Sequence, residues 1–291
     1  MEKCKTEYTW NEMLLVPVEE LPERSRVPIK IFDQASDMFY DLARRVVDAV
    51  KSNNAKGLKT RIAWPVGPKK NYPLMVEMTK QENVSWKNTI HYQVDEWLDW
   101  QGRKLPANHP FNLESWLKRE FFDKLPQELR PEEKNMHFHN PLCIDHMDRM
   151  IEENGGIDIL IGGFGFTGHI AYNEPVPSRW YEVSAEQYKQ GCSRIVYTND
   201  ETFIMHSYRS TGGNTRQIPP CGITIGFKQI LSAKKIYLVS DGADWKKTIL
   251  RIMCFHEPTA KYPCTFVQEH PDTLIIVDKR TAECPSMDFI G

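Results

Sequence analysis

The sequence predicts an α/β fold: a single domain with a mostly parallel sheet flanked by helices. Three observations carry that reading. Short β-branched runs alternate along the chain with helical periods, the pattern of βαβ units. The run Ile157, Ile159, Leu160 and Ile161 is brief, apolar and ended by Gly162-Gly163, which favours a buried strand over a piece of helix. No linker, internal repeat or low-complexity tract divides residues 29–291, so one domain is expected there.

Taken in order, residues 1–28 read as an N-terminal extension along the surface. Pro17, Pro22 and Pro28 interrupt any period, while Glu19, Glu20, Glu23 and Arg24 keep the segment polar. A helical period runs from Ile31 to Val50, with Phe32, Ala35, Met38, Phe39, Leu42, Val46 and Val47 on one side; Asn53, Asn54 and Gly57 stop it. Thr60 to Pro65 reads as a strand, Val66-Gly67-Pro68 as a turn, and Tyr72 to Lys80 as a second helix. Thr89 to Val94 is the next strand and runs into Asp95-Glu96-Trp97. A loop through Pro106, His109 and Pro110 leads to a helix from Leu113 to Lys124, then a polar, Pro-rich stretch over 126–142. Ile144 to Glu153 is helical and feeds the central strand. Beyond it, Pro175 to Gly191 reads as a loop or lid containing Pro177, Trp180 and Tyr181. Cys221 to Ile225 and Lys235 to Val239 read as strands, Lys246 to Cys254 as a helix, and Thr273 to Asp278 as a terminal strand.

Composition removes several function classes. With 37 basic and 39 acidic side chains the formal net charge is −2, so no nucleic-acid partner is expected. No apolar run approaches the ~20 residues that span a bilayer, and MEKCKTEYTW lacks the apolar centre of a signal peptide. Seven cysteines without a C-x-x-C pair read as reduced thiols in a cytoplasmic protein. His137-x-His139 has no acidic or Cys partner at ligand spacing, so an ordinary surface loop and no metal are expected.

The candidate chemistry gathers at three strand ends. Gly162, Gly163, Gly165 and Gly168 crowd the loop after the central strand, where the backbone bends sharply or approaches a ligand closely. Into it the chain places Thr167, His169, Asn173 and Glu174, beyond the C-terminal end of a strand, where open α/β sheets bind ligands. Gly163, Gly165 and Gly168 satisfy the bare letters of the dinucleotide fingerprint, but such a site needs neither the His nor the Glu. A tight turn with solvated polar residues is the competing structural reading. The second strand end, Val66 to Asn71, joins a strand to a helix start, a natural phosphate seat. Lys69 and Lys70 supply charge there, or form a solvated helix start. At the third, a carboxylate such as Asp95 either performs acid–base work or caps the next turn.

Taken whole, G-G-F-G-F-T-G-H-I-A-Y-N-E-P closely resembles the signature of the glucosamine-6-phosphate deaminase/isomerase family, whose usual form has Asp where this chain has Thr167. The resemblance extends diffusely over about residues 30–280. It includes Asp95-Glu96-Trp97 for the family's D-E-Y, His109-Pro110 for its H-P, Cys221–Gly226 and Gln268–His270. It implies a Rossmann-like sheet and an aldose–ketose isomerisation on an amino-sugar phosphate, glucosamine 6-phosphate giving fructose 6-phosphate and ammonia with no redox cofactor. By the same resemblance Asp95 shuttles the C2/C1 proton, and His169, held by Glu174, assists ring opening beside Thr167. Gly67, Lys69, Lys70, Glu96, Gly168, Arg209 and Lys246 are the implied substrate and phosphate contacts. Arg209 stands ten residues before Pro219, at the family's spacing; Lys246 is displaced by one residue and Lys247 competes with it. The family's P-T-G-G-T-P or P-T-G-S-T-P loop is two residues shorter here and lacks both hydroxyls, although Pro65 and Gly67 remain. The expected partner is a small sugar phosphate, a homo-oligomer is allowed for, and neither nucleic acid nor membrane is expected. A 6-phosphogluconolactonase-like hydrolase and a sugar-phosphate sensor without catalysis are the alternatives.

Overall fold

The computed structural model describes residues 8–176 and 181–286. In chain order the strands are β1 (Ile29–Phe32), β2 (Thr60–Trp64), β3 (Thr89–Gln93), β4 (Asp95–Leu98), β5 (Met136–His137), β6 (Ile159–Gly162), β7 (Arg194–Tyr197), β8 (Cys221–Thr224), β9 (Lys235–Ser240) and β10 (Thr273–Asp278). The helices are α1 (Trp10–Leu14), α2 (Leu21–Arg24), α3 (Ala35–Ala55), α4 (Asn71–Glu82), α5 (Leu113–Glu120), α6 (His146–Glu153), α7 (Ala185–Lys189), α8 (Asp200–Thr211), α9 (Phe227–Leu231), α10 (Asp244–Phe255) and α11 (Lys279–Ala282).

Seven strands form one sheet in the order β1-β10-β9-β6-β2-β3-β5, and every pairing in it is parallel. Parallel sheets of this kind are covered on both faces, which is why the central strands read as continuous apolar runs. One face packs on Met38, Phe39, Leu42, Val46 and Val50 of α3 together with Met75 and Met78 of α4. The other packs on Ile249, Leu250, Met253 and Phe255 of α10. Successive connections run outward from β2 in one direction and from β6 in the other, so these adjacent strands mark the topological switch point.

The structure departs from the sequence reading in identifiable places. β4, β8 and β7 leave the parallel sheet to form a second, antiparallel one, pairing Asp95 with Thr224 and Thr224 with Arg194. Cys221 to Thr224 is therefore not a strand of the main sheet. Ile29–Phe32 is an edge strand, and the helix assigned from Ile31 begins only at Ala35. The 126–142 stretch contributes the short β5, and His139 within it is buried rather than on a surface loop, its Nε2 3.1 Å from the Val94 carbonyl. The N-terminal segment lies along the surface and is docked there by an apolar side: Met13, Leu14, Val16, Leu21 and Val27 are buried, while Thr9 to Glu12, Leu15, Glu19 and Glu20 are exposed. A capping box between Thr9 and Glu12 starts α1. Buried Arg251 donates to the carbonyls of Val16, Ala282 and Glu283, tying both ends of the described chain to α10. The expected loop over Pro175 to Gly191 contains α7; Pro177 and Trp180 lie outside the described residues. No described helix is long and apolar enough to cross a membrane.

Candidate active site

The loops after β2 and β6 meet at the switch point, and with the chain after β3 and β9 and one face of α8 they enclose a cavity of about 780 Å³. Asp95, His169, Gly67, Lys69, Lys70, Arg209 and Lys246 all line it. Thr167, Gly168, Glu174 and Glu96 do not, and each has an identifiable place behind the wall.

His169 is set by a loop that closes on itself. Gly165 N–H donates to the His169 carbonyl at 2.9 Å and Gly168 N–H to the Gly165 carbonyl at 3.0 Å. The imidazole then lies directly over Gly165, where a Cβ would fall 1.8 Å from Nε2. Gly168 has φ of +78° and packs against Tyr262 and Cys264, so only glycine suits that turn. Asn173 Nδ2 fastens the exit of the loop to the carbonyls of Ile170 and Ile225. Behind the ring, Thr167 Oγ1 is 3.0 Å from Nδ1 and Glu174 Oε1 is 3.7 Å from it. The other Glu174 oxygen accepts the Asn199 N–H at 2.9 Å. Burial, aided by the charge of His206, holds His169 down to about 3. Burial lifts Glu174 to about 7 against the Asn199 hydrogen bond. Both shifts favour neutral imidazole over an ion pair with Glu174.

Asp95 begins β4 at the mouth of the parallel sheet, and no described residue donates a hydrogen bond to its carboxylate. Burial, with the neighbouring Glu96 second, raises it to about 7. Glu96 serves the scaffold: its oxygens accept the Leu113 and Glu114 N–H groups at 2.8 Å, Trp97 N–H and Gln93 Nε2. A carboxylate on the first amides of α5 satisfies orphan donors and the helix dipole. Of the expected H-P pair, Pro110 lines the cavity, while His109 Nδ1 accepts the Phe111 N–H.

The lining also carries cations. Lys69 Nζ lies 5.1 Å from the Trp116 ring centre and Lys70 Nζ 5.3 Å from that of Phe39. Lys246 donates to the Asp241 carbonyl at 2.5 Å, and burial together with Arg209 lowers it to about 8. Lys247, the competing candidate, turns instead to Glu283 at 3.0 Å. The sequence reading missed Asp241, whose carboxylate meets Lys70 at 2.9 Å inside the cavity. It also missed the aromatic wall of Trp97 and Tyr172, ring centres 4.7 Å apart, and His206 on α8. Among the described residues no group of three or more His, Cys, Asp or Glu is placed to hold a metal ion.

No family model matches the chain. Among curated proteins, the glucosamine-6-phosphate deaminase of Mycoplasmopsis pulmonis is 27% identical over 258 residues, covering 87% of this chain and 93% of that protein. The chain is a divergent relative of the glucosamine-6-phosphate deaminases. The deaminase of Parabacteroides distasonis is 29% identical over 220 residues, 74% of this chain and 73% of its own. Among solved structures, a monomeric glucosamine-6-phosphate deaminase superposes with a TM-score of 0.72 at 19% identity, covering 87% of this chain and 98% of that one. A 6-phosphogluconolactonase from Trypanosoma brucei gives 0.59 at 12%, covering 87% and 97%. The fold is thus common to deaminases and lactonases.

Proposed function

We propose that the protein is an amino-sugar-phosphate isomerase and deaminase, converting glucosamine 6-phosphate and water to fructose 6-phosphate and ammonia. The observation that carries this reading is the lining of one cavity: a buried carboxylate and an imidazole share it with four cationic side chains. A sugar phosphate calls for both kinds of group. The four cations would bind the phosphate and use that remote contact to hold the reacting carbons in place. Neutral His169, backed by Thr167 and Glu174, would move the proton that opens the ring. Asp95 would then take the proton from C2 of the open chain and return it to C1. A carboxyl lifted to about 7 is suited to both halves of that transfer near neutral pH. The product imine at C2 loses its nitrogen to water as ammonia.

A free sugar phosphate as substrate fits a cytoplasmic enzyme, and no role for nucleic acid or membrane enters the reading. Ammonia release from glucosamine 6-phosphate, followed together with fructose 6-phosphate, is the direct test. Its absence, with sugar-phosphate binding retained, would favour the sensor. Lactone hydrolysis is the second reading, favoured by the lactonase structures that share the fold. Turnover of 6-phosphogluconolactone in place of the hexosamine would establish it.

A further inference from the structure

His206 is a cavity group that the proton transfers above leave unused. It stands on the face of α8 that also presents Arg209, three residues or about one turn away. Its ring packs edge-on against Trp97, centroids 5.4 Å apart at 87°, which fixes the plane of the imidazole. No described residue hydrogen-bonds either ring nitrogen, although the ring lines the cavity. It is close enough to His169 that its charge disfavours protonation there, and Arg209 does the same to His206. The imidazole thus lies within electrostatic reach of both Arg209 and His169.

Burial and Arg209 hold His206 neutral, down to about 4. A neutral imidazole offers one N–H and one lone pair, the complement of a hydroxyl that both donates and accepts. A polar group that faces a binding site without a protein partner is open to pair with water or with a bound ligand. We propose that His206 is a further substrate-contacting residue, reading a hydroxyl on the middle carbons of the sugar, between the phosphate held at Arg209 and Lys246 and the carbons facing Asp95 and His169. The residue thereby selects among hexosamine phosphates by hydroxyl position and configuration, an inference that rests on the sugar-phosphate reading above.

The test compares wild type with His206→Ala and His206→Gln on glucosamine 6-phosphate and on its 3-deoxy and 4-deoxy analogues. Removing one hydrogen bond should lower kcat/KM roughly tenfold for His206→Ala on the parent sugar. One deoxy analogue should be about tenfold poorer for wild type and lose less than about twofold more on substitution, with Gln restoring part of the parent activity. Equal losses on all three sugars would reduce His206 to packing against Trp97 and overturn the proposal, as would no loss at all. Should the alanine variant fail to fold, the glutamine variant on the same three sugars gives the same comparison. Absence of wild-type turnover on every hexosamine phosphate would instead defeat the functional reading, and this proposal with it, before any variant is made.

Discussion

Replacing Gly165 by alanine puts a methyl group where the His169 ring now lies. The new carbon would fall 1.8, 2.0 and 2.4 Å from three ring atoms, whereas carbon contacts settle near ~3.5–4.0 Å, so the ring must retreat by roughly 1.5 Å. Retreat parts Nδ1 from Thr167 Oγ1, now 3.0 Å away, at a cost of about 1 kcal/mol. Gly165 is not among the glycines with positive φ, so alanine suits its backbone and returns about 0.4–1 kcal/mol through the unfolded chain. The fold should survive with a melting shift within about 3 °C. Catalysis should not: a displacement of ~1 Å in a reacting group costs on the order of 100-fold, so kcat/KM for ammonia release should fall by at least that factor. In a His169→Ala background the same substitution should cost nothing further. Turnover close to wild type from a folded Gly165→Ala protein would show that His169 does not act from its present position. A collapse in melting temperature would show that the loop, rather than the ring, yields.

Asp95→Asn should lower kcat about 100-fold with KM little changed. It should also stabilise the protein at high pH. The wild-type carboxyl ionises near 3.8 when unfolded but holds its proton to about 7 when folded. Stability is therefore lost as pH rises between those values, by on the order of 4 kcal/mol, and melting curves of the two proteins should match at pH 3.5 and diverge by pH 8. Lys69→Ala combined with Lys70→Ala should raise KM for a phosphorylated sugar about tenfold while kcat stays within about twofold, because both side chains line the cavity and would hold the phosphate rather than the reacting carbons. Unchanged steady-state kinetics would put the phosphate elsewhere. Thr167→Asp brings a carboxylate beside Nδ1 and should lift His169 from about 3, raise deaminase activity on glucosamine 6-phosphate and move the acidic limb of the pH profile upward. Reduced activity on every hexosamine phosphate tried would count against that charge argument.

The parallel core was legible because β2, β3, β6, β9 and β10 are buried enough to read as apolar runs, with helical periods between them. Gly165, Thr167, His169 and Glu174 were legible as a motif because they lie within one loop. β1 and β5 escaped because four and two residues at sheet edges carry no period of their own. The second sheet escaped because β4 and β8 are buried in it, so their residues read like those of the parallel strands. Glu96 is indistinguishable from Asp95 in sequence; only the position of α5 shows that its carboxylate caps amides while its neighbour faces the cavity. His206 and Asp241 have no sequence signal, since one polar residue on a helix or strand end matches any solvated surface. The neutrality of His169 follows from the structure for a reason the sequence did not suggest: burial and a second imidazole are its leading causes, whereas the sequence pointed only to a missing carboxylate.

One residue, Val94, separates the end of β3 from Asp95 at the start of β4, so the carboxylate proposed to transfer the proton stands at the hinge between two sheets of different kinds. That placement divides what drift can alter from what it cannot. Arg209 and His206 arrive on the segment between β7 and β8, so a lineage could rewrite that excursion without disturbing the parallel frame. Asp95 limits how far such change can go. Its strand is registered against Thr224, and a slip of one residue in that pairing would turn the carboxylate to the opposite face of the sheet. On the proposed roles, substrate preference is therefore free to wander within the segment between β7 and β8, while the pairing of β4 with β8 is inherited intact or the chemistry is lost at a stroke.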